Sequence, residues 1–557
     1  MDLTRPLNDY ENFLATSTCT VGLLVRAPHV STPAGLVAAT SAAWRRLRPE
    51  YGFLSARLEA ITDVTTGAPV MGALGPTYRY QPATAADLER ACFVGRALSA
   101  AAEGGPTQSL RDRVVALGGT QPDTTRVLAM ADVEAWADPT GGGTVAAIVL
   151  VLCHACSDAP GALAVGHRYV ELLGVEVIAV TAAGSPTRCG ADSEGLADGV
   201  TAPVVRPPQP LTDVQAGLLA GHPGSPQDTV QLPPALQAYQ DALQLESGSG
   251  SGSSGSGGGD GGDSSDGGNG VDGGAAPVSL RVLPPITSQG VPREPSPSTM
   301  GGNGAMGRIE AHFFELSTVA TAALRATCHA AGGTIQGALT VADLLTRTAV
   351  SETPLPVRAA ATVPVNCRAY TSPPVPPTAC VCGSAAATVG VVLMPASPVA
   401  DAIRDVSVSV RAAVPGQPVD WLWRLLHAPA SLPAASLMDS SIGVSPIGTS
   451  YAGGAVDVVD TLFFGSSTAT PAAAQGTMVH AHTFGGRLHV ACNATVPGIS
   501  RGWATAVAAG LHACLLELGK ERSDGTLTLE ELRNVAVVAA ADASPELMRR
   551  GRNQGSA

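Results

Sequence analysis

Residues 144–153, TVAAIVLVLC, form a ten-residue apolar run that follows three glycines and closes on His154, with Asp158 four residues further on. A run of that length, rich in Val and Ile, reads as a buried strand. The next residues, SDAPGALAVGHRYVELL, offer Ser157 or Asp158 as N-cap, Pro160 for the first turn and then an apolar helical face. His154 is therefore expected at a strand-to-helix corner, a place from which a side chain points into a cleft.

Composition sets the outer limits. A chain of 557 residues has room for about three or four average domains, or for one large two-lobed enzyme. Hydrophobic residues make up 45% and aromatic ones only 4%, so the interior must be built mainly from Ala, Val and Leu. The net charge of -13 comes with no cluster of Lys and Arg, which argues against a nucleic-acid partner. No apolar window approaches the ~20 residues of a spanning helix, so no transmembrane segment is expected. The stretch around Asp2, Asp9 and Glu11 lacks an apolar signal core, and the cytoplasm is the expected location. Eleven scattered cysteines, an odd number, fit reduced thiols better than a disulfide framework.

Residues 247–274 are almost pure Ser, Gly and Asp and cannot bury enough apolar area to fold. With the Pro/Gly/Ser-rich residues 284–307 they define a flexible insertion, interrupted only by a short strand-like segment at 278–283. Closing such a loop costs only a few kcal/mol more than closing a short one, so it can interrupt one compact enzyme. Four segments follow: a first lobe at 1–245, a disordered linker at 246–307, a second lobe at 308–518, and a tail at 519–557, partly helical and then disordered. In the first lobe a helix is expected over 33–48 and strands near 53–58 and 175–181. In the second, IEAHFFEL reads as a strand, Ser317 caps a helix over 318–331, and a second helix runs from 334 to about 348. Strands follow at 385–393, 456–464, 478–483 and 487–491, and a helix at 500–518.

The order of these landmarks resembles the CoA-dependent acyltransferase superfamily, which includes alcohol O-acetyltransferases, polyketide-associated acyltransferases, wax ester synthases and condensation domains. The family motif HHxxxDG is matched by Cys153-His154-Ala155-Cys156-Ser157-Asp158-Ala159, leaving the HxxxD core. Trp44 to Arg57, Leu232-Pro233-Pro234, Ala331 to Ile335, Pro364-Val365-Asn366-Cys367-Arg368 and Gly486-Arg487-Leu488 resemble further family segments in the same order. The family's Ser-Asn-x-Gly falls on Ser440-Ser441-Ile442-Gly443 or on Ser445-Pro446-Ile447-Gly448, without the Asn in either case.

The resemblance implies an α/β fold of two chloramphenicol-acetyltransferase-like lobes with a tunnel between them. It also implies acyl-CoA as co-substrate, no permanently bound cofactor, and a small alcohol or amine as acceptor. A carrier-protein thioester is the alternative donor. His154 would be the general base, since an imidazole titrates near neutrality. Asp158 would be structural, paired with an arginine for which Arg368 is the candidate. Ser440, Ser441 or Ser445 would donate to the oxyanion.

Two readings from other classes stay open: a catalytically degenerate binding protein on the same fold, and a thiol-disulfide oxidoreductase using the C-x-x-C of Cys153 and Cys156. A zinc site that adds Cys380 and Cys382 fits poorly, because that pair has one intervening residue, and no metal site is assigned. His480 and His482 share one face of an expected strand near His489 and could line a cleft or bind a metal; they are read as surface strand residues. Lys520 to Glu531 imitates a calcium loop with cations at two ligand positions and is read instead as a helix start at Thr528.

Overall fold

The computed structural model describes residues 5–546, apart from 16, 73–74, 119–123, 184–217, 220–231, 249–279, 286–307, 372–373, 377–378, 380–381, 428–434, 468–476, 497–498 and 521–525. The insertion at 246–307 lies outside these except for 246–248 and 280–285, and the end of the tail, from 547, lies outside them too.

The first half supplies strands β1 (Ser17–Ala27), β2 (Phe93–Ala97), β3 (Ala129–Ala137) and β4 (Thr144–Cys153). The second half supplies β5 (Arg308–Leu316), β6 (Val357–Asn366), β7 (Ser384–Leu393), β8 (Leu437–Val444), β9 (Ser450–Tyr451), β10 (Val456–Ser467), β11 (Thr477–Phe484) and β12 (Arg487–Val496). They form two large sheets, ordered β9-β10-β1-β4-β3-β2 and β5-β12-β11-β8-β6-β7, the latter extended by Arg281–Val282 beside β6.

β4 lies near the middle of the first sheet, antiparallel to β1 and β3, and all ten of its residues are buried. Its pleat feeds two cores. Ala146, Ile148, Leu150 and Leu152 join one with Trp44 and Tyr169, while Val145, Ala147, Val149 and Val151 join another with Leu110 and Phe464. That is why the run is apolar at every position rather than alternating. Burial of each aliphatic side chain contributes about 1.5–3 kcal/mol.

Helices α1 (Pro33–Leu47) and α2 (Pro106–Gly118) belong to the first lobe. So does α3 (Ala159–Ala183), which leaves the corner after His154. α3 corrects one expectation, since it absorbs the strand read at 175–181. No proline interrupts it, and its packing on α1, with the Trp44 and Tyr169 rings 6.1 Å apart, overrides the β-branched composition of its last turns. The first lobe's short strand is Ala56–Ala60, preceded by a 3-10 turn at Gly52–Ser55.

The second sheet is covered by α4 (Thr318–Ala330), α5 (Ile335–Val350), α6 (Val399–Ala413), α7 (Arg501–Leu518) and α8 (Leu529–Ala543). α5 is buried from Gly337 to Val350, which makes it the centre of this core. α8 starts at a capping box on Thr528 and Glu531, and Leu529, Leu532 and Ala536 pack into the same core. The described part of the tail thus belongs to the second lobe.

The division of the chain at residue 308 also needs correcting, because β9 and β10 cross over into the first sheet. β10 pairs antiparallel with β1 from Ser17↔Ser467 to Arg26↔Asp457, after which the chain returns to the second sheet as β11. A central β1 with partners on both edges requires that crossover. No helix among the described residues is long and apolar enough to cross a membrane.

Candidate active site

His154 begins the turn that follows β4, and its backbone N–H donates to the Ser17 carbonyl at 2.8 Å. Of the two candidate caps, Asp158 immediately precedes α3 and its Oδ1 accepts from the Gly161 N–H at 3.1 Å. The same carboxylate receives both guanidinium arms of Arg368, Nη2 to Oδ1 at 2.6 Å and Nη1 to Oδ2 at 2.9 Å, plus the Gly383 N–H at 3.0 Å. Arg368 is 1% exposed, and its remaining donors reach Asn366 Oδ1 and the Ala379 carbonyl. A Cβ on Gly383 would come within 2.8 Å of the Arg368 side chain, so glycine is required there. Arg368 follows β6 of the second sheet, so this bidentate pair ties the His154 corner to the other lobe.

The His154 ring is partly covered, and its Nδ1 is buried without a hydrogen-bond partner at ordinary geometry. Burial lowers its pKa, against opposing effects of its own backbone, Asp158 and the backbone of Ser157. Burial thus favours the neutral imidazole, the state a proton acceptor needs.

The three serines separate. Ser440 on β8 lies in register with His480 on the parallel strand β11 and is nearly buried. Ser441 is on the opposite face, where its N–H donates to Gln336 Oε1 at 2.6 Å and its side chain helps line a cavity of about 350 Å³ with Arg325, Thr334 and Arg411. The Ser445 Oγ is engaged in its own turn, accepting from the Ile447 N–H at 3.2 Å.

His480, His482 and His489 are not surface residues. They are 6%, 2% and 3% exposed and lie where β10 presses against β11 and β12. His482 Nε2 is 2.9 Å from Thr461 Oγ1 and stacks on His489, while the edge of His480 meets Phe463 with centroids 5.3 Å apart. Burial drives their pKa values down to about 4 for His482 and about 3 for the other two, with neighbouring imidazoles adding to the shift for His480 and His489. The signal for this was in the sequence, since VHAHTF and LHVAC place each histidine among apolar residues on both faces.

Glu315, Asp460 and His489 offer ligand atoms within 4.8 Å of one another, but Arg487 Nη1 already donates to Glu315 at 2.9 Å and balances its charge. Cys153 and Cys156 are buried free thiols whose sulfurs face the Ala15 and Cys153 carbonyls, a setting that lacks the exposure of a reactive cysteine. Cys380 lies outside the described residues, and Cys382 is buried beside Tyr10 and Leu422.

No family profile and no curated protein matches the sequence. Solved structures do match. Trichothecene 15-O-acetyltransferase of Fusarium sporotrichioides aligns with a TM-score of 0.55 at 12% identity, over 91% of each chain. Polyketide synthase associated protein 5 of Mycobacterium tuberculosis gives 0.54 at 16% identity, over 93% of this chain and 98% of that one. The starter condensation domain of rhizomide synthetase, a variant in complex with C8-CoA, gives 0.50 at 12% identity over 95% and 97%. Two sheets joined by a crossover strand are thus a fold this chain shares with an O-acetyltransferase, a polyketide synthase associated protein and a condensation domain.

Proposed function

We propose that the protein is an acyltransferase that moves an acyl group from a CoA thioester to the hydroxyl or amine of a small acceptor, with His154 as general base. The observation that carries this reading is the corner itself: an imidazole at the mouth of β4, on a loop whose Asp158 carboxylate Arg368 clamps from the second sheet. The acceptor oxygen or nitrogen attacks the thioester carbonyl carbon while His154 takes its proton. The C=O electron pair moves onto oxygen, the carbonyl re-forms, the C–S bond breaks, and the thiolate leaves with the proton from His154. The thioester is already activated, so no acyl-enzyme is needed. Asp158 has no direct part; saturated by Arg368 and Gly383, it fixes the loop. Donor and acceptor meet at His154 from opposite ends of a passage between the lobes.

Acyl-CoA is preferred over a carrier-bound thioester because the rhizomide starter domain of the same fold was captured with C8-CoA. The described cysteines are free thiols, in keeping with the cytoplasm. A second reading, a binding protein on this fold without turnover, is favoured by one feature of the motif: Cys153 and Ala159 replace its first His and its Gly, and the downstream Asn is missing.

Free-thiol release from short, medium and long acyl-CoAs with mixed alcohol and amine acceptors tests the proposal. His154→Ala should lower release by about 10²–10⁴-fold, whereas Cys153→Ser/Cys156→Ser should leave it in place. Undiminished release in His154→Ala would overturn His154 as base. No release from the wild type with any donor would favour the binding reading, and insulin reduction lost in the cysteine variant would install the redox one.

A further inference from the structure

On β10, Thr461, Phe463 and Gly465 share one face, and on β11, His480 and His482 share the face opposed to it. His480 lies so close over Gly465 that a Cβ there would stand 2.9 Å from its Nε2. Gly465 is opposite Cys19 on β1, and two residues along that ladder is Ser17, whose carbonyl accepts the His154 backbone N–H. The crossover strand thereby carries His480 over the strand pair that holds His154, near enough that positive charge on one opposes it on the other. His480 is 6% exposed, and beyond the nearby Gly465 backbone neither ring nitrogen has a hydrogen-bond partner at ordinary geometry; the buried Nδ1 of His154 lacks one too. A buried imidazole nitrogen without a partner is costly unless a polar group reaches it.

Resting on the acyl-transfer reading, the geometry points to His480 as a second catalytic imidazole, a neutral N–H donor that binds the thioester carbonyl oxygen as it becomes an oxyanion. The acceptor's oxygen–carbon bond forms as His154 takes the proton, and the displaced π pair rests on the oxygen held by His480. It returns to the carbonyl as the C–S bond breaks and His154 protonates the thiolate. His480 neither gains nor loses a proton. An imidazole that stays uncharged is suited to donate to a developing anion without competing for the proton that His154 handles. Ser440, in register with His480 on the same sheet face, is placed to share the load.

Thiol-release kinetics on the full chain decide this. His480→Ala should lower kcat by about 10²–10³-fold with KM for acyl-CoA within about threefold of wild type, and His480→Gln, which keeps an N–H donor, should recover about tenfold or more. Because a buried histidine variant can fail to fold, the ¹⁵N resonances of the His480 ring are also followed in the wild type as acetonyl-CoA, the ketone analogue of acetyl-CoA, is added. A downfield shift of the protonated nitrogen is expected. A kcat for His480→Ala within about threefold of wild type, equal losses in the Ala and Gln variants, or an unchanged ring spectrum would each overturn the proposal while leaving His154 as base. An inactive wild type would instead remove the acyl-transfer reading and His480 with it.

Discussion

Two buried polar clusters bind the lobes together, and they are built on opposite principles. At the corner, Asp158 and Arg368 are charged, and Asp158 accepts bonds from Arg368, Gly383 and Gly161. At the seam between β10 and β11, His480, His482 and His489 are neutral, and each ring of His480 and His489 keeps at least one nitrogen without a partner. A saturated ion pair holds geometry because any displacement strands a charge. A row of unsaturated neutral rings holds little geometry but keeps donors in reserve. One cluster fixes the loop that carries His154, the proposed base; the other holds the proposed oxyanion donor, His480.

The largest effect should come from breaking the saturated cluster. Arg368→Ala strands Asp158 and should cost about 3–5 kcal/mol of stability by thermal or denaturant unfolding. Replacing both partners with apolar residues, Asp158→Leu with Arg368→Met, should recover most of that stability without recovering thiol release, because the corner is no longer aimed. Recovery of both would end the contrast between the clusters.

The seam should respond to pH instead. Histidines that titrate near 3 to 4 when folded and near 6.5 when unfolded favour the fold fully above pH 6.5, and this contribution is lost as pH falls toward 4. Asp439, pushed up to about 8 by burial, and Asp460, at about 6, act in the opposite sense, so the histidine contribution is read from variants. His482→Asn should flatten the acid limb of stability by about one proton, or ~1.4 kcal/mol per pH unit, in melts between pH 4 and 6.5. An unchanged slope would mean that His482 is protonated in the fold. The smallest effect is expected from Thr461→Val, which leaves His482 Nε2 without its hydroxyl and should cost about 1 kcal/mol.

Local features of this molecule were legible in the sequence, and long-range ones were not. The apolar run marked β4 to its last residue, and the helix start read at Thr528 is the N-cap of α8. Family resemblance singled out Arg368 and Asp158 across 210 positions, a contact that no periodicity encodes. By contrast, the strand read at 175–181 was a local β-branched preference overruled by packing on α1. The partner of β10 could not be read at all, since VDVVDTLFF suits an edge of either sheet. Misplacing β10 is also why the histidines looked like surface residues: without the crossover strand, nothing covers His480 and His482.

The crossover also sets the timing of folding on the ribosome. β1 and β4 emerge early, but the strand that closes the other edge of β1 is made roughly 300 residues later, on the order of 15–60 s at ordinary elongation rates. Until then Ser17–Ala27, buried in the finished protein at every position but Arg26, has a free edge of backbone N–H and C=O groups and a binding surface for any stray strand. Nascent chains crowded on one messenger would meet edge to edge in that interval. Yield in a heterologous host should therefore track translation speed and chaperone supply, and a fragment ending at residue 245 should precipitate rather than fold.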